Sequence, residues 1–373
     1  MTTLFEDVAL SAARSAGLFR LLRTRHRHAL LALTYHSVVE AEATVRERHP
    51  LVYRNAVDAE RFEAHMRHLR RHYHLLDGDA LRAVLDGEEA PERAVVVTFD
   101  DALLNNVTVA LPILRDLNVS AFFFLPTGFV EAASEGRRRL HWSEDLVARL
   151  SLRSVEHPEP WPGVATHLPA LNVNVSSRPV RQAILRVVDH LKSLSHARRT
   201  DRVNALRETL DDFDPDRFPA DAAGHSILDT MSWTQARRAA SEGITLGSHT
   251  VNHEILSRLP DDEAAAEIAE SRRHIDERTS ASADLLAYPN GGPRDFASTH
   301  QDMLSRAGYR GAFTQISGFN DASTHALALR RIDVSGNHPL SAFCYLASGT
   351  KHWVDRLVRR RRPGSRPEVG EHR

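Results

Sequence analysis

The sequence predicts an α/β protein built on a parallel sheet, either open or closed into a barrel. Three observations carry this. Short runs such as 94–99 (AVVVTF), a continuous β-branched run, and the apolar 121–125 (AFFFL) suit strands buried on both faces. Between such runs lie stretches whose apolar residues recur at helical spacing. Strand and helix alternate over most of the chain, and parallel pairing needs a helical crossover between strands.

The elements follow in order. Residues 4–22 can form an amphipathic helix, followed by the cluster Arg20, Arg23, Arg25, Arg27. Such a helix packs on the protein's own surface, and the basic cluster also suits weak contact with an anionic membrane surface. Glu6 and Asp7 precede these arginines, the reverse order of a secretory signal, so a cytoplasmic protein, at most peripheral to a membrane, is expected. Residues 30–35 (LLALTY) read as a short buried strand. Asp58 then caps a helix with Phe62, Met66, Leu69 and Tyr73 on one face and His65, His68 and His72 on the other. The 94–99 strand ends in Asp100-Asp101, and a helix near 107–117 leads to the 121–125 strand.

From about 140 to 230 the pattern changes, with prolines around 157–169 and a long helical segment over 180–210, and this reads as an insertion or lid. Alternation then resumes: helix 233–240, strand 244–247, helix 264–278, strand 285–288, helix 299–307, strand 311–314. Arg359, Arg360, Arg361 and Arg362 mark a basic, solvated tail. The expected organisation is an N-terminal segment 1–29, one domain over 30–350 carrying the 140–230 insertion, and a tail over 351–373.

Composition limits the chemistry. The chain has 373 residues, with 48 Lys plus Arg against 49 Asp plus Glu, so a net charge of -1 gives no overall positive field for nucleic acid. Its single cysteine, Cys344, excludes an intramolecular disulfide, a Cys-rich zinc finger and an iron–sulfur site. Any metal must be held by carboxylates and some of the 22 histidines. The apolar runs fall far short of the roughly 20 residues of a membrane-spanning helix.

In parallel α/β folds the reactive groups gather at the carboxyl ends of strands. Three sets qualify: Asp100 and Asp101 after AVVVTF, His249 and His253 after ITLG, and Tyr288-Pro289-Asn290-Gly291 after LLA. The same dipeptide or spacing recurs at Asp211-Asp212, Asp261-Asp262 and His68/His72, away from strand ends, where structural roles are expected. Two histidines four apart plus one carboxylate make a three-ligand set that leaves coordination positions open, as catalytic sites require. The second aspartate can stay off the metal as a general base. Together these point to metal-assisted hydrolysis. Competing motifs fail: His253-Glu254 lacks the second histidine of H-E-x-x-H, since position 257 is Ser257. No G-x-S-x-G or phosphate loop occurs, and Cys344 sits in an apolar context (SAFCYL) that suits a buried, inert thiol.

The ordered series LTYHSV, VVVTFDDALLNN, AFFFLPTGF, MSWTQARRAASEGITLGSHTVNH, EIAESRRHID, LLAYPNGG and ALRRIDVSG resembles the polysaccharide deacetylases, the NodB-homology family of carbohydrate esterases, over roughly 30–350. The resemblance implies a distorted (β/α) barrel of about seven strands. It implies removal of acetyl groups from N-acetylated sugars in a polysaccharide, oligosaccharide or glycolipid precursor. The expected cofactor is a divalent metal, commonly zinc, with cobalt, manganese or nickel as substitutes. Carried over by position, Asp100 is the general base and Asp101, His249 and His253 hold the metal. Tyr288, Pro289, Asn290 and Gly291 stand at the family's Pro-Tyr-Gly motif, the candidate substrate-binding loop. Ala102 replaces the usual Gly, and the arginine that orients the base is absent before this loop, where Ala287 stands; Arg331 is its candidate replacement. The late histidine acid has no match, which leaves His338 and His36 as candidates. The alternatives to sugar deacetylation are a metal-dependent amidohydrolase of a small amide or imide, and an inactive glycan-binding relative.

Overall fold

A computed structural model describes residues 4–40, 43–156, 180–212, 224–336 and 338–349. The strands are β1 (Leu31–Tyr35), β2 (Ser37–Val39), β3 (Ala56–Asp58), β4 (His74–Leu75), β5 (Ala94–Phe99), β6 (Phe122–Leu125), β7 (Thr245–Ser248), β8 (Leu285–Ala287), β9 (Gly311–Phe313) and β10 (Ile332–Asp333). Seven of them form one parallel path in the order β10-β1-β5-β6-β7-β8-β9, with β4 paired to the start of β5 and β2-β3 as a separate pair. A parallel bridge from Phe313 in β9 to Leu329, just before β10, brings the two ends of the path together into a distorted barrel.

Because successive strand residues face opposite ways, an all-apolar strand feeds two cores at once. Leu31, Leu33, Tyr35, Val95, Val97, Phe99 and Phe123 join the helices outside the sheet. Their neighbours Ala32, Val96, Phe122, Phe124, Leu285, Ala287 and Phe313 form the other cluster. The rings of Phe124 and Phe313 lie 5.4 Å apart although β6 and β9 are separated by two strands, which places this cluster inside the barrel.

The insertion carries its own core. Helices Trp142–Glu156, Val180–Ser193 and His196–Thr209 bury Leu146, Leu150, Ile184, Leu191, Val203 and Leu206 together with Leu51, Val52 and Tyr53 from the approach to β3. The single helical segment expected over 180–210 is thus two helices, broken at Leu194-Ser195. The Pro-rich stretch 157–169 and the basic tail 351–373 lie outside the described residues. At the N-terminus, helices Leu4–Ser15 and Leu18–Arg25 precede β1; the first packs on helix Leu340–Ala347, and Phe19 meets Tyr345 edge-on.

On the histidine face of helix Ala59–His72, His65 is fully buried, stacked on Phe343 at 4.0 Å and 3.3 Å from the Tyr35 hydroxyl, so it belongs to the core. Helix Leu340–Ala347 packs against that side. Cys344 is buried and unbonded to another cysteine, as its apolar context predicts.

Candidate active site

The strand ends converge as parallel topology requires. β5 delivers Asp100 and Asp101, β7 delivers His249, and β1 delivers His36. The two aspartates separate by environment. Asp100 is 3% exposed and paired with Arg331, whose Nη1 lies 2.8 Å from Oδ1 and Nη2 2.7 Å from Oδ2. Asp101 keeps 31% of its side chain exposed, and its Oδ1 faces Nε2 of His253 at 3.1 Å and Nε2 of His249 at 3.5 Å.

Arg331 enters from the residue before β10 and is wholly buried inside the barrel. Its Nε donates to the Thr314 carbonyl at 2.9 Å and its Nη1 also to Thr98 Oγ1 at 3.1 Å, while the rings of Phe124 and Phe313 flank it. Gln315 Nε2 reaches Asp100 at 3.4 Å. Burial opposes ionisation of Asp100, but the Arg331 guanidinium outweighs it and holds the carboxyl below its usual range. For Asp101 burial again opposes ionisation, and hydrogen bonds from His249 and His253 bring it well below that range. Burial would lower His249, but the charge of Asp100 and the contact with Asp101 raise it instead.

The donor atoms of Asp101, His249 and His253 all lie within 4.8 Å of one another. His249 Nδ1 is 2.6 Å from the Ala287 carbonyl, which can only accept, so Nδ1 carries a proton and Nε2, on the side of Asp101, is the nitrogen left to bind a metal. The residues present therefore fit a divalent ion with two imidazoles and one carboxylate. Glu267, buried in helix Asp261–Arg278, accepts from the backbone N–H groups of Val251 and Asn252 at 2.8 Å each and fixes the loop between the two histidines.

These loops are locally strained. Among the described residues seven non-glycine positions have positive φ, and five of them, Asp101, Ala102, Thr250, His253 and Asn290, lie in the three strand-end loops. Each costs about 1–3 kcal/mol, a pattern that concentrates at functional sites.

Asp101 and His253 open onto a pocket walled by His36, Asn55, Phe129, His141 and Leu228. His36 is thus brought to the site. His338 is not among the lining residues; its carbonyl lies 3.2 Å from His65 Nε2, beside helix Ala59–His72. Tyr288 also points away, stacked on Phe296 with its hydroxyl donating to Leu327 O at 2.9 Å. Pro289, Asn290 and Gly291 form the turn behind it, and Gly291 O accepts from Gln315 N at 2.9 Å, which steadies the residue that touches Asp100. A Cβ at Gly291 would stand 2.8 Å from that nitrogen, and its φ is 62°, so only glycine fits without strain.

Sequence reasoning missed Gln315, Glu267 and His141. Gln315 does follow β9, and strand-end position could have found it. Glu267 is one of many carboxylates on a helix, and His141 belongs to the insertion, so no spacing singled them out.

The sequence profile described as polysaccharide deacetylase matches residues 87–202 and 218–312, more than half of the chain. The chain belongs to the polysaccharide deacetylase family. Members of this family are hydrolases acting on N-acetyl amide bonds.

Three solved structures share the fold. The Streptococcus pyogenes deacetylase PplD, in complex with acetate, is 16% identical, covering 83% of this chain and 94% of its own, with a TM-score of 0.52. IcaB from Ammonifex degensii is 16% identical over 85% of this chain and 97% of its own, also at 0.52. A polysaccharide deacetylase of Bacillus cereus is 14% identical over 86% and 69%, at 0.51. No curated protein matches by sequence.

Against this polysaccharide deacetylase pattern, two departures have physical content. Ala102, in place of the usual glycine, adopts φ 50°. It holds a left-handed conformation that disfavours any side chain, by about 1–2 kcal/mol. Ala287 stands where the family places an arginine, and in this chain a guanidinium meets Asp100 from the opposite end of the sheet path, through Arg331.

Proposed function

We propose that this polysaccharide deacetylase removes acetyl groups from N-acetylated sugars in a polysaccharide, oligosaccharide or glycolipid precursor, using a divalent ion, zinc first, held by Asp101, His249 and His253. The observation that carries the reading is the meeting of these three donors beside an ionised Asp100 that Arg331 keeps off the ligand set. When bound, the ion polarises the amide carbonyl and makes water more acidic.

The chain's own groups supply the proton traffic. Asp100 takes a proton from the attacking water, and its paired geometry keeps it ionised and aimed. Arg331 and Gln315 orient that carboxylate. His36, on the wall of the same pocket as Asp101 and His253, gives a proton to the departing amine. Its position favours it over His338. The insertion residues in the pocket wall, Leu140, His141 and Leu228 among them, keep bulk water from the reacting amide.

The test is acetate release from N-acetylglucosamine oligomers by zinc- or cobalt-loaded protein. Asp100→Asn is expected to lower kcat by about 100-fold or more. His249→Ala should lose both activity and bound metal. Unchanged release in both variants would sink the proposal.

A further inference from the structure

The insertion is fixed to both loops that carry the metal-site residues. At its C-terminal end, Leu104 N donates to Asp229 O at 2.7 Å and Met231 N to Ala102 O at 2.9 Å, which stitches it to the aspartate loop. On the other side Arg139 Nη2 donates to Asn252 Oδ1 at 2.9 Å, and the buried Arg199 of helix His196–Thr209 pairs with Glu254. The segment leading into helix Trp142–Glu156 and helix His196–Thr209 are therefore each held against the histidine loop. His141 lies in that segment. Its ring packs edge-on against His253, with centroids 4.2 Å apart, and it shares the pocket wall with His36 and Asp101.

The two ring nitrogens of His141 differ. Nδ1 lies 2.8 Å from the Ser143 hydroxyl. Nε2 is buried with no protein partner, and so are Nδ1 of His36 and Nδ1 of His253, residues of the same pocket wall. A buried polar atom left without a partner costs about 1–3 kcal/mol, and three among the residues of one wall point to a polar group that arrives with the ligand. An acylamino sugar offers such groups in its amide and its hydroxyls.

We propose that His141, supplied by the insertion, contacts the substrate: its Nε2 hydrogen-bonds a polar atom of the acylamino sugar while the ring packs against His253. The proposal rests on the deacetylase reading above. It gives the insertion a direct substrate contact in addition to its water-excluding wall. A phenylalanine at 141 keeps the ring against His253 and removes the hydrogen bond; a glutamine keeps an N–H and a carbonyl near the same place.

The experiment compares His141→Phe and His141→Gln with the unaltered protein, using short N-acetylglucosamine oligomers and measuring KM, kcat, bound zinc per chain and thermal midpoint. His141→Phe should retain zinc and midpoint and lose at least tenfold in kcat/KM, and His141→Gln should recover part of the loss. A His141→Phe variant within threefold of the unaltered kcat/KM overturns the proposal alone. Loss of zinc or of the thermal midpoint in step with activity also overturns it, because His141 would then only prop the histidine loop. An unaltered, zinc-loaded protein that releases no acetate overturns the deacetylase reading and this one with it.

Discussion

Arg331 and Asp100 are an ion pair at 0% and 3% exposure, with every guanidinium nitrogen engaged by Asp100, Thr98 or Thr314. Taking both charges from water is expensive, and only good geometry offsets it. Removing one partner leaves the other buried and alone, a loss of about 3–5 kcal/mol. Arg331→Met should therefore destabilise the protein by about that amount in chemical denaturation, and Asp100→Asn on top of it should restore a large part. If the double variant is no more stable than Arg331→Met, the pair does not carry the energy assigned to it. The aspartates themselves were legible in the sequence, because a double Asp closes a buried strand; spacing left open which of the two would stay off a metal, and only the family resemblance ordered them. That distinction depends on a guanidinium arriving from 231 positions away, and no local pattern encodes it.

At the scale of elements, periodicity found the long ones. AVVVTF and FFFL announce strands because β-branched and aromatic residues fill both faces. β4 and β10 have two residues each, too few for any period, and yet β10 follows directly on Arg331. Helix Ala59–His72 shows the opposite failure. Its apolar stripe was plain, but the burial of His65 depends on Phe343, 278 positions away. Burial drives the His65 pKa down to about 3 from its ordinary 6.5. Between these values the unfolded chain binds the extra proton and the folded one does not, so this contribution to stability is full above about pH 6.5 and declines as pH falls toward 3. The slope reaches about 1.4 kcal/mol per pH unit for this one group. Urea unfolding of the unaltered protein and His65→Gln at pH 7.5, 5.5 and 4.5 should show the steeper loss in the unaltered protein. Parallel curves would mean that His65 does not titrate on unfolding.

Across the whole molecule, the metal donors join pieces of chain that the barrel alone only brings near. Asp101 belongs to the loop after β5, which hydrogen-bonds residues 229–231, and His253 adjoins Asn252 and Glu254, which hold Arg139 and Arg199 of the insertion. An ion bound by Asp101, His249 and His253 would tie both loops together, and through them both ends of the insertion. Binding to the folded state alone stabilises by about 2.7 kcal/mol when free zinc is 100 times Kd. Zinc loading should therefore raise the thermal midpoint by several degrees. Hydrogen exchange should slow at Leu104 and Met231, bonded between the aspartate loop and the insertion, as well as at Val251 and Asn252, bonded from the histidine loop to Glu267. A chelator should reverse both effects, and His253→Ala should show neither. Slowing confined to Val251 and Asn252 would mean that the ion orders its own loop and leaves the insertion uncoupled; slowing at Met231 as well makes the insertion, the barrel and the metal centre one cooperative unit.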